Sequence, residues 1–338
     1  MSTSPRPVRA VLAPVLAPVL AVLLVVALGA CGGADATSSP AGETRTVIDA
    51  EGTSMEVPDD PARVVALSEP TLDGLLALGV EPVGTVAGRG QSSVPGYLAD
   101  LAGDVPLLGG VAQPSYEAIG KADPDLILVD GTSINNNAEA IEILRRIAPT
   151  YVTGFAGGDW RANFEHVAVA VGREAEAEEV LADYDTEVAA ARERLAGYAD
   201  DTFSVVRWQG GSAALILQEL PAGMALSDLG LSRPAGQDRR GRGHSEPVSL
   251  ENLADIDADY LFFGTLGGSS VGNADAGGRT DAEGARRALA EAERVPGFRE
   301  LGAYEQGHVI LVDGSLWTST GGPLLMRRLV ASVLESLG

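Results

Sequence analysis

The sequence is short of basic residues, cysteine and histidine, and each shortage argues against a class of protein. Its 338 residues contain 24 Lys and Arg against 47 Asp and Glu, a net charge of −23. Because an anionic surface repels a phosphate backbone, this balance argues against nucleic-acid binding. The single cysteine, Cys31, cannot form an intramolecular disulfide. The three histidines, His166, His244 and His308, are few for a transition-metal site, so we predict no resident metal and disfavour a scavenger of bare metal ions.

The signatures of common enzyme sites are also absent. The sequence contains no Walker-type phosphate loop, no GxGxxG that opens a helix after a strand, and no GxSxG nucleophile elbow. No local arrangement of Ser, His and Asp indicates nucleophilic catalysis. We therefore predict that the protein is not an enzyme. An exported hydrolase whose nucleophile no motif reveals stays open as an alternative of a different class.

The N-terminus has the features of an export signal. Arg6 and Arg9 precede an apolar run over residues 10–28, which ends in Leu-Gly-Ala-Cys at Cys31. A basic start, an apolar core and small residues before a cleavage site are typical of a signal peptide. The small residues beside Cys31 resemble the lipobox of bacterial lipoproteins, in which the cysteine becomes the acylated first residue. This resemblance implies a lipid anchor at Cys31 and a position at the outer face of the membrane.

A transmembrane helix is the alternative explanation of the apolar run. Pro14 and Pro18 shorten its best stretch to about ten residues, which is typical of a signal peptide rather than a membrane span. We therefore predict a signal peptide over 1–30. Residues 31–46 are rich in Gly, Ser and Pro and cannot bury a core, so they predict a flexible tether.

Two segments of the chain form a diverged repeat. Residues 114–128 (PSYEAIGKADPDLIL) and 248–262 (VSLENLADIDADYLF) align without gaps at a shift of 134, which superposes Glu117 on Glu251. Each copy opens with a serine suited to cap a helix and closes with an apolar run typical of a buried strand. The shift superposes four further pairs: Ser115 with Ser249, Ile119 with Leu253, Asp123 with Asp257, and Asp125 with Asp259.

The segments before each copy predict the fold class. Strands are predicted at 63–67 and 204–208, and each is followed by a helix that ends in Leu-Gly. The two copies add the strands 126–129 and 260–263, so each half alternates strand and helix. This alternation predicts an α/β protein with two Rossmann-like lobes, each built on a parallel sheet. The chain length also suits two domains.

A long helix is predicted between the lobes. Its apolar residues recur on one helical face, at Val180, Tyr184, Val188, Ala191 and Leu195. The helix runs from 173 to 198, about 39 Å, and Gly172 separates it from a shorter helix over 160–171. A helix of that length resists large hinge opening. The predicted segments are 47–157 for the N-terminal lobe, 158–199 for the bridging helix and 200–338 for the C-terminal lobe.

These motifs together resemble the periplasmic-binding-protein family of iron-siderophore and cobalamin uptake. The resemblance covers about residue 47 to the C-terminus and is carried by RVVALS, LLALGVEPVG and the two copied segments. The stretch VVRWQGGSAALIL is most similar to the ferric-siderophore branch. The resemblance implies a monomeric solute-binding protein that delivers a ferric siderophore to an ABC importer. It needs no cofactor, because the chelator carries the iron, and cobalamin or haem remain alternative ligands.

The same resemblance assigns a role to the superposed glutamates. In that family one glutamate of each lobe forms salt bridges with arginines of the permease, and by motif these are Glu117 and Glu251. Two symmetry-related carboxylates suit a two-fold symmetric permease dimer. The alternative is that each carboxylate only stabilises the start of its helix.

The ligand is expected in the cleft between the lobes, at the carboxyl ends of the strands. Arg donors and Trp faces there suit a large, flat, anionic chelate. The arginine-rich loop, residues 233–244, also indicates an anionic ligand, catecholate or carboxylate rather than neutral hydroxamate, although such a loop could instead only offset local acidity. Tyr97 could line the cleft or pack in its own lobe. The predicted ligand-binding residues are Arg89, Tyr97, Arg207, Trp208, Arg239, Arg240, His244 and Trp317.

Overall fold

A computed structural model of the chain describes residues 43–273 and 278–338. The predicted signal peptide and Cys31 lie outside these residues. The predicted tether ends at residue 46, but residues 44–46 already belong to the first strand, whose Val47 packs into the core. In the described ranges no helix is both long enough and apolar enough to cross a membrane.

The strands fall into an N-terminal and a C-terminal group. The first group comprises β1 (Thr44–Ile48), β2 (Ser54–Pro58), β3 (Val64–Ala66), β4 (Gly84–Ala87), β5 (Leu107–Gly110), β6 (Gln113–Pro114), β7 (Leu126–Val129) and β8 (Thr150–Val152). The second comprises β9 (Phe203–Gln209), β10 (Ser212–Leu215), β11 (Glu246–Val248), β12 (Tyr260–Gly264) and β13 (Val309–Leu311).

Helices alternate with these strands. They are α1 (Glu69–Ala77), α2 (Ala99–Ala102), α3 (Tyr116–Lys121), α4 (Ala138–Arg145), α5 (Trp160–Val171), α6 (Glu174–Arg194), α7 (Pro221–Asp228), α8 (Ala282–Ala292), α9 (Gly302–Glu305), α10 (Gly314–Trp317) and α11 (Pro323–Leu337). Short 3-10 helices occupy Gly96–Leu98, Gly131–Ile134, Ala196–Tyr198, Leu250–Ile256 and Phe298–Glu300.

Two separate sheets form the two lobes. The N-terminal lobe contains a six-stranded sheet in the order β6-β5-β4-β3-β7-β8, and the C-terminal lobe contains a five-stranded sheet in the order β11-β10-β9-β12-β13. The copied segments supply β7 and β12, which are interior strands of different sheets. Ser115 and Ser249 cap the short helices that precede these two strands. The Ser115 hydroxyl accepts a hydrogen bond from the Ala118 N–H, and the Ser249 hydroxyl accepts one from the Glu251 N–H. The predicted two-lobed α/β fold is confirmed.

Both sheets contain parallel strands, as predicted, but each also has antiparallel strands at one edge. In the N-terminal lobe, β6 is antiparallel to β5. In the C-terminal lobe, β10 is antiparallel to both of its neighbours, β9 and β11. The cause is local in the second case, because only Gly210 and Gly211 connect β9 to β10. Both glycines have positive φ, at 59° and 73°. A two-residue turn of this kind makes an antiparallel hairpin, whereas a parallel pair needs a long crossover.

The long helix α6 belongs to the cores of both lobes. Gly172, with φ of 67°, ends α5 and separates it from α6, as predicted. Ala177 near the start of α6 packs in the N-terminal core, whereas Tyr184 and Val188 pack in the C-terminal core. The 21 residues of α6 span roughly 32 Å. One rigid element therefore joins the lobes.

A second connection joins the lobes through a buried carboxylate. Asp73 in α1 accepts hydrogen bonds from the backbone N–H of Leu324 and Leu325, both at 2.9 Å, at the start of α11. The Tyr97 hydroxyl donates to the same carboxylate at 2.9 Å. Burial raises the pKa of Asp73 to about 6, although these hydrogen bonds oppose the shift. The start of the C-terminal helix is thus tied to the N-terminal lobe.

Candidate functional site

The parallel strands of both sheets direct charged residues into the gap between the lobes. Arg89 follows β4, Asp130 follows β7, and Arg207 lies near the end of β9. Burial lowers the pKa of the Arg207 guanidinium, and neighbouring Arg89 lowers it further. The Arg207 guanidinium also donates to the Ser245 hydroxyl. The structure therefore brings these two predicted arginines, one from each lobe, close to each other, although neither is among the residues that line the cavity described below.

Glu69 holds the loop that carries Arg89. Its carboxylate, in the first turn of α1, accepts from the Arg89 backbone N–H at 2.7 Å and from the Ser319 hydroxyl at 3.4 Å. Within the described ranges, the second Glu69 oxygen and the Arg89 Nε are buried without a hydrogen-bond partner. Buried polar atoms that lack protein partners are suited to bind water or a ligand.

Asp130 adds an acidic group close to Arg89. It is 3% exposed, and its carboxylate accepts from the Ser133 N–H at 3.0 Å. Burial raises its pKa to about 6, while the Ser133 N–H and Arg89 lower it. The folded state therefore holds the Asp130 proton more tightly than the unfolded chain does. The contribution of Asp130 to stability is full below pH 4 and is lost as the pH rises through 6.

We expect Asp130→Asn to stabilise the protein at pH 7 and to have little effect at pH 4. The amide keeps an acceptor for the Ser133 N–H but does not need to ionise, and a shift of this size corresponds to about 3 kcal/mol. Urea unfolding at the two pH values measures the difference. Asp159→Asn is the control, because it makes the same substitution at the exposed N-cap of α5. Equal effects of Asp130→Asn at both pH values would contradict the prediction.

A cavity of about 460 Å³ opens between the lobes beside these groups. Both lobes contribute to its lining, and three of the contributing side chains carry or can carry positive charge. From the N-terminal lobe and the chain that follows β8, the lining residues are Thr132, Asn136, Phe155, Ala156 and Gly157. From the C-terminal lobe they are Glu219, Arg240, Gly241, Arg242, Gly243 and His244.

The arginine-rich loop crosses the gap and contacts the opposite lobe. The Arg240 guanidinium donates to the Gly157 carbonyl oxygen at 2.6 Å. The backbones also meet directly, since a Cβ on Gly157 would lie 2.4 Å from the Gly243 Cα. Both positions therefore require glycine, and Arg240 lies at the point where the two lobes touch.

The loop residues predicted to bind ligand do not all face the cavity. Arg240 and His244 line it, and the His244 Nδ1 lies 2.9 Å from the Ser245 carbonyl oxygen. Arg239 instead forms a bidentate ion pair with Glu246 on the outer side and is absent from the lining. Its assignment to the ligand site is corrected, because an adjacent carboxylate already pairs with its guanidinium.

The structure contradicts the assignment of Trp208 and Trp317 to the ligand site. Trp208 has no exposed surface and packs on Phe263 and Phe298 in the core of the C-terminal lobe. Trp317 is 1% exposed, stacks on Phe262 at 4.1 Å between ring centroids, and donates its Nε1–H to Ser332 at 3.0 Å. Both rings are enclosed by protein and present no face to the cleft.

Tyr97 likewise has a structural role. Its ring packs against the core clusters of both lobes, and its hydroxyl is bound to Asp73. Tyr97 thus packs between the lobes rather than within its own lobe alone, and it is absent from the lining of the cavity described above.

Several cavity residues were missed by the sequence analysis. Thr132 and Asn136 follow β7, and Phe155 follows β8 with 57% of its surface exposed. The rule that ligands bind at the carboxyl ends of parallel strands could have located all three, because β7 was predicted and β8 is its neighbour. Glu219 had no signal of this kind, since it follows β10, which runs antiparallel to β9.

The other two histidines, like His244, have partners in the fold. His166 lies 2.7 Å from the Tyr151 hydroxyl. His308 lies 2.9 Å from the Asp259 carbonyl oxygen and stacks on Tyr260. In the part of the chain that the structure describes, no group of three His, Cys, Asp or Glu side chains is arranged to hold a metal ion.

The two superposed glutamates are both exposed. Glu117 lies in the first turn of α3 with 79% of its side chain exposed, and it pairs with Lys121 at 2.6 Å. Glu251 is exposed in the first turn of the 3-10 helix that precedes β12. Both carboxylates are accessible to a partner, as docking requires.

The comparisons with known proteins agree with this architecture. The family model described as periplasmic binding protein matches residues 64–316. The chain is 30% identical over 303 residues to the probable siderophore-binding lipoprotein YfiY of Bacillus subtilis, which covers 87% of this chain and 89% of that protein. It is 26% identical to the petrobactin-binding protein YclQ of the same organism, over 92% of this chain and 94% of that protein.

A solved structure extends the likeness to the arrangement of the lobes. Staphylococcus aureus SirA complexed with staphyloferrin B superposes with a TM-score of 0.71 and 26% identity, over 87% of this chain and 98% of that chain. The match of the family model begins at β3 and ends in α10, so it includes both sheets and the helices between them. The chain therefore belongs to the periplasmic binding protein family, a class of solute-binding proteins.

Proposed function

We propose that this protein is the lipid-anchored solute-binding component of an ABC importer and that it captures a ferric siderophore in the cleft. The observation that carries the proposal is the cationic cavity between the lobes of a protein whose net charge is −23. Arg240, Arg242 and His244 line this cavity, whereas Arg89 and Arg207 lie close to each other outside its lining. Arginines recognise carboxylate and other anionic oxygens through charge-assisted hydrogen bonds.

The relatives support the ligand class. YfiY is named as siderophore-binding, YclQ as petrobactin-binding, and the SirA structure contains staphyloferrin B. We infer that the chelate arrives with its iron already bound and that the protein acts without a cofactor, without catalysis and as a monomer. Anchoring through Cys31 and docking to a permease dimer through Glu117 and Glu251 complete the proposed role.

Titration with defined chelates tests the ligand class. We expect the purified protein to bind ferri-bacillibactin or ferric citrate, both anionic, more tightly than ferrioxamine B, a ferric hydroxamate. Isothermal calorimetry measures each affinity, with cobalamin, haem and unchelated Fe(III) as comparators. Binding of cobalamin or haem without binding of any ferric chelate would contradict the siderophore proposal, and turnover of an ester or peptide would favour the exported hydrolase.

Adjacent arginines provide a matched test of the site. We expect Arg240→Ala to raise the Kd of the bound ferric chelate about tenfold or more, because it removes a charged donor from the cavity. Arg239→Ala removes the same charge from the next residue, which points outward to Glu246, and should leave the Kd near that of the wild type. Equal effects of the two substitutions would show that only overall charge matters and would contradict a specific role for Arg240.

A further inference from the structure

The arginine-rich loop lies against a short segment that follows β10, residues 216–219. Buried Arg233, at the start of the loop, donates to the Ile216 carbonyl oxygen at 2.8 Å. The Gln218 N–H donates to the Arg239 carbonyl oxygen at 3.3 Å. Successive residues of the segment therefore bind successive parts of the loop. The last of them, Glu219, binds the part that lines the cavity.

Glu219 is buried, at 2% exposure, and both of its carboxylate oxygens bind the loop backbone. Oε2 accepts from the Gly241 N–H at 2.5 Å, and Oε1 accepts from the Gly243 N–H at 3.2 Å. These two amides flank Arg242, and Arg240 precedes them. Burying a carboxylate lowers the stability of the folded state unless its oxygens accept hydrogen bonds. The two backbone amides therefore offset the desolvation of Glu219.

The loop backbone is also confined by close packing on both sides. A Cβ on Gly241 would lie 2.6 Å from Glu219 Oε1, so the carboxylate occupies the space that a side chain would need. On the opposite side, a Cβ on Gly243 would lie 2.7 Å from the Ala156 carbonyl oxygen. The loop is therefore held between Glu219 and the chain that leaves the N-terminal lobe.

We infer that Glu219 is a positioning residue that holds Arg240 and Arg242 at the cavity before ligand arrives. The inference rests on the proposed function for the identity of the ligand, but the loop contacts do not depend on it. Glu219 itself need not touch the chelate. Its effect on affinity arises because a loop that is already ordered loses less conformational entropy on binding.

Two variants disturb this arrangement in different ways. Glu219→Gln keeps the shape of the side chain but turns an NH₂ group towards one of the two backbone N–H donors. Gly241→Ala leaves the charge intact and displaces the carboxylate by its added Cβ. The matched controls are Glu246→Gln, another carboxylate-to-amide change beside the same loop, and Gly236→Ala, where an added Cβ meets nothing within 4 Å.

Amide hydrogen exchange and chelate affinity are the two measurements. We expect both Glu219→Gln and Gly241→Ala to speed exchange at residues 241 and 243 and to raise the Kd for ferri-bacillibactin or ferric citrate about tenfold, with the Kd and exchange of both controls unchanged. Global protection of the strands, measured in the same experiment, shows whether each variant is folded.

The outcomes separate the inference from the proposed function. If the wild type binds a chelate and Glu219→Gln binds it equally well with the loop still protected, the inference is overturned. A loss of affinity with unchanged loop exchange also overturns it, because Glu219 would then act by direct contact or charge. If the wild type binds none of the chelates, the proposed function fails, and exchange at residues 241 and 243 alone decides whether Glu219 holds the loop.

Discussion

Replacing both Glu117 and Glu251 with arginine is expected to abolish uptake of the ferric chelate in cells while leaving the affinity of the purified protein unchanged. Both side chains are exposed and neither is among the residues that line the cavity. By the family resemblance they pair with permease arginines, so reversal would replace two attractions with two like-charge repulsions. Iron-uptake assays with the chelate that binds, beside calorimetry on the purified variant, measure the two effects.

The alternative role of these glutamates requires its own control. Glu139 and Glu283 are exposed glutamates in the first turns of α4 and α8, one in each lobe. Replacing both with arginine should reproduce any loss of stability that comes from weakened helix N-termini. Each such carboxylate contributes roughly a few tenths to 1 kcal/mol to its helix. Uptake should persist in this control. Import at the wild-type rate by the double variant at Glu117 and Glu251 would disprove docking through these residues.

Trp317→Ala is expected to lower the free energy of unfolding by about 3–5 kcal/mol, the usual effect of truncating a large buried aromatic residue. The ring stacks on Phe262 at 4.1 Å and is 1% exposed, and its Nε1–H is bound to Ser332. The substitution removes all of these contacts and leaves a cavity in the C-terminal core. Chemical denaturation measures the loss.

Trp317→Phe distinguishes a core residue from a ligand contact. Phenylalanine keeps an aromatic ring on Phe262 but loses the bond to Ser332, so we expect a smaller loss of stability and an unchanged Kd for the chelate. A large loss of affinity in a variant of near wild-type stability would indicate that Trp317 contacts the ligand after all.

Local patterns in the sequence were sufficient to predict several elements of this fold. Gly172 marks the break between α5 and α6, Ser115 and Ser249 mark the starts of two helices, and apolar runs mark β7 and β12. These features depend on neighbours within a few residues: a cap bonds the next turn, and a strand buried on both faces is apolar throughout. The repeat then placed the two glutamates at equivalent positions, which is information that no single segment contains.

The candidate site could be predicted only in part. The rule that ligands lie at the carboxyl ends of strands selected Arg89 and Arg207, which the structure places close to each other but not in the lining of the cavity. It failed for Trp208, because successive residues of a strand point to opposite faces of the sheet. Arg207 and Trp208 therefore could not both turn towards the ligand, and the alternation in β9 was the signal that should have separated them.

The sequence by itself determined where several helices and strands of this protein form, how its two halves repeat, and which charges are available for a ligand and a partner. Only the tertiary structure decided which of those charges meet in one cavity. Arg239 and Arg240 are adjacent and chemically identical, yet one pairs with Glu246 and the other reaches Gly157 in the opposite half of the molecule. The difference arises because the path of a loop is set by contacts with residues distant in the chain, here by the buried carboxylate of Glu219, and no local pattern specifies those contacts.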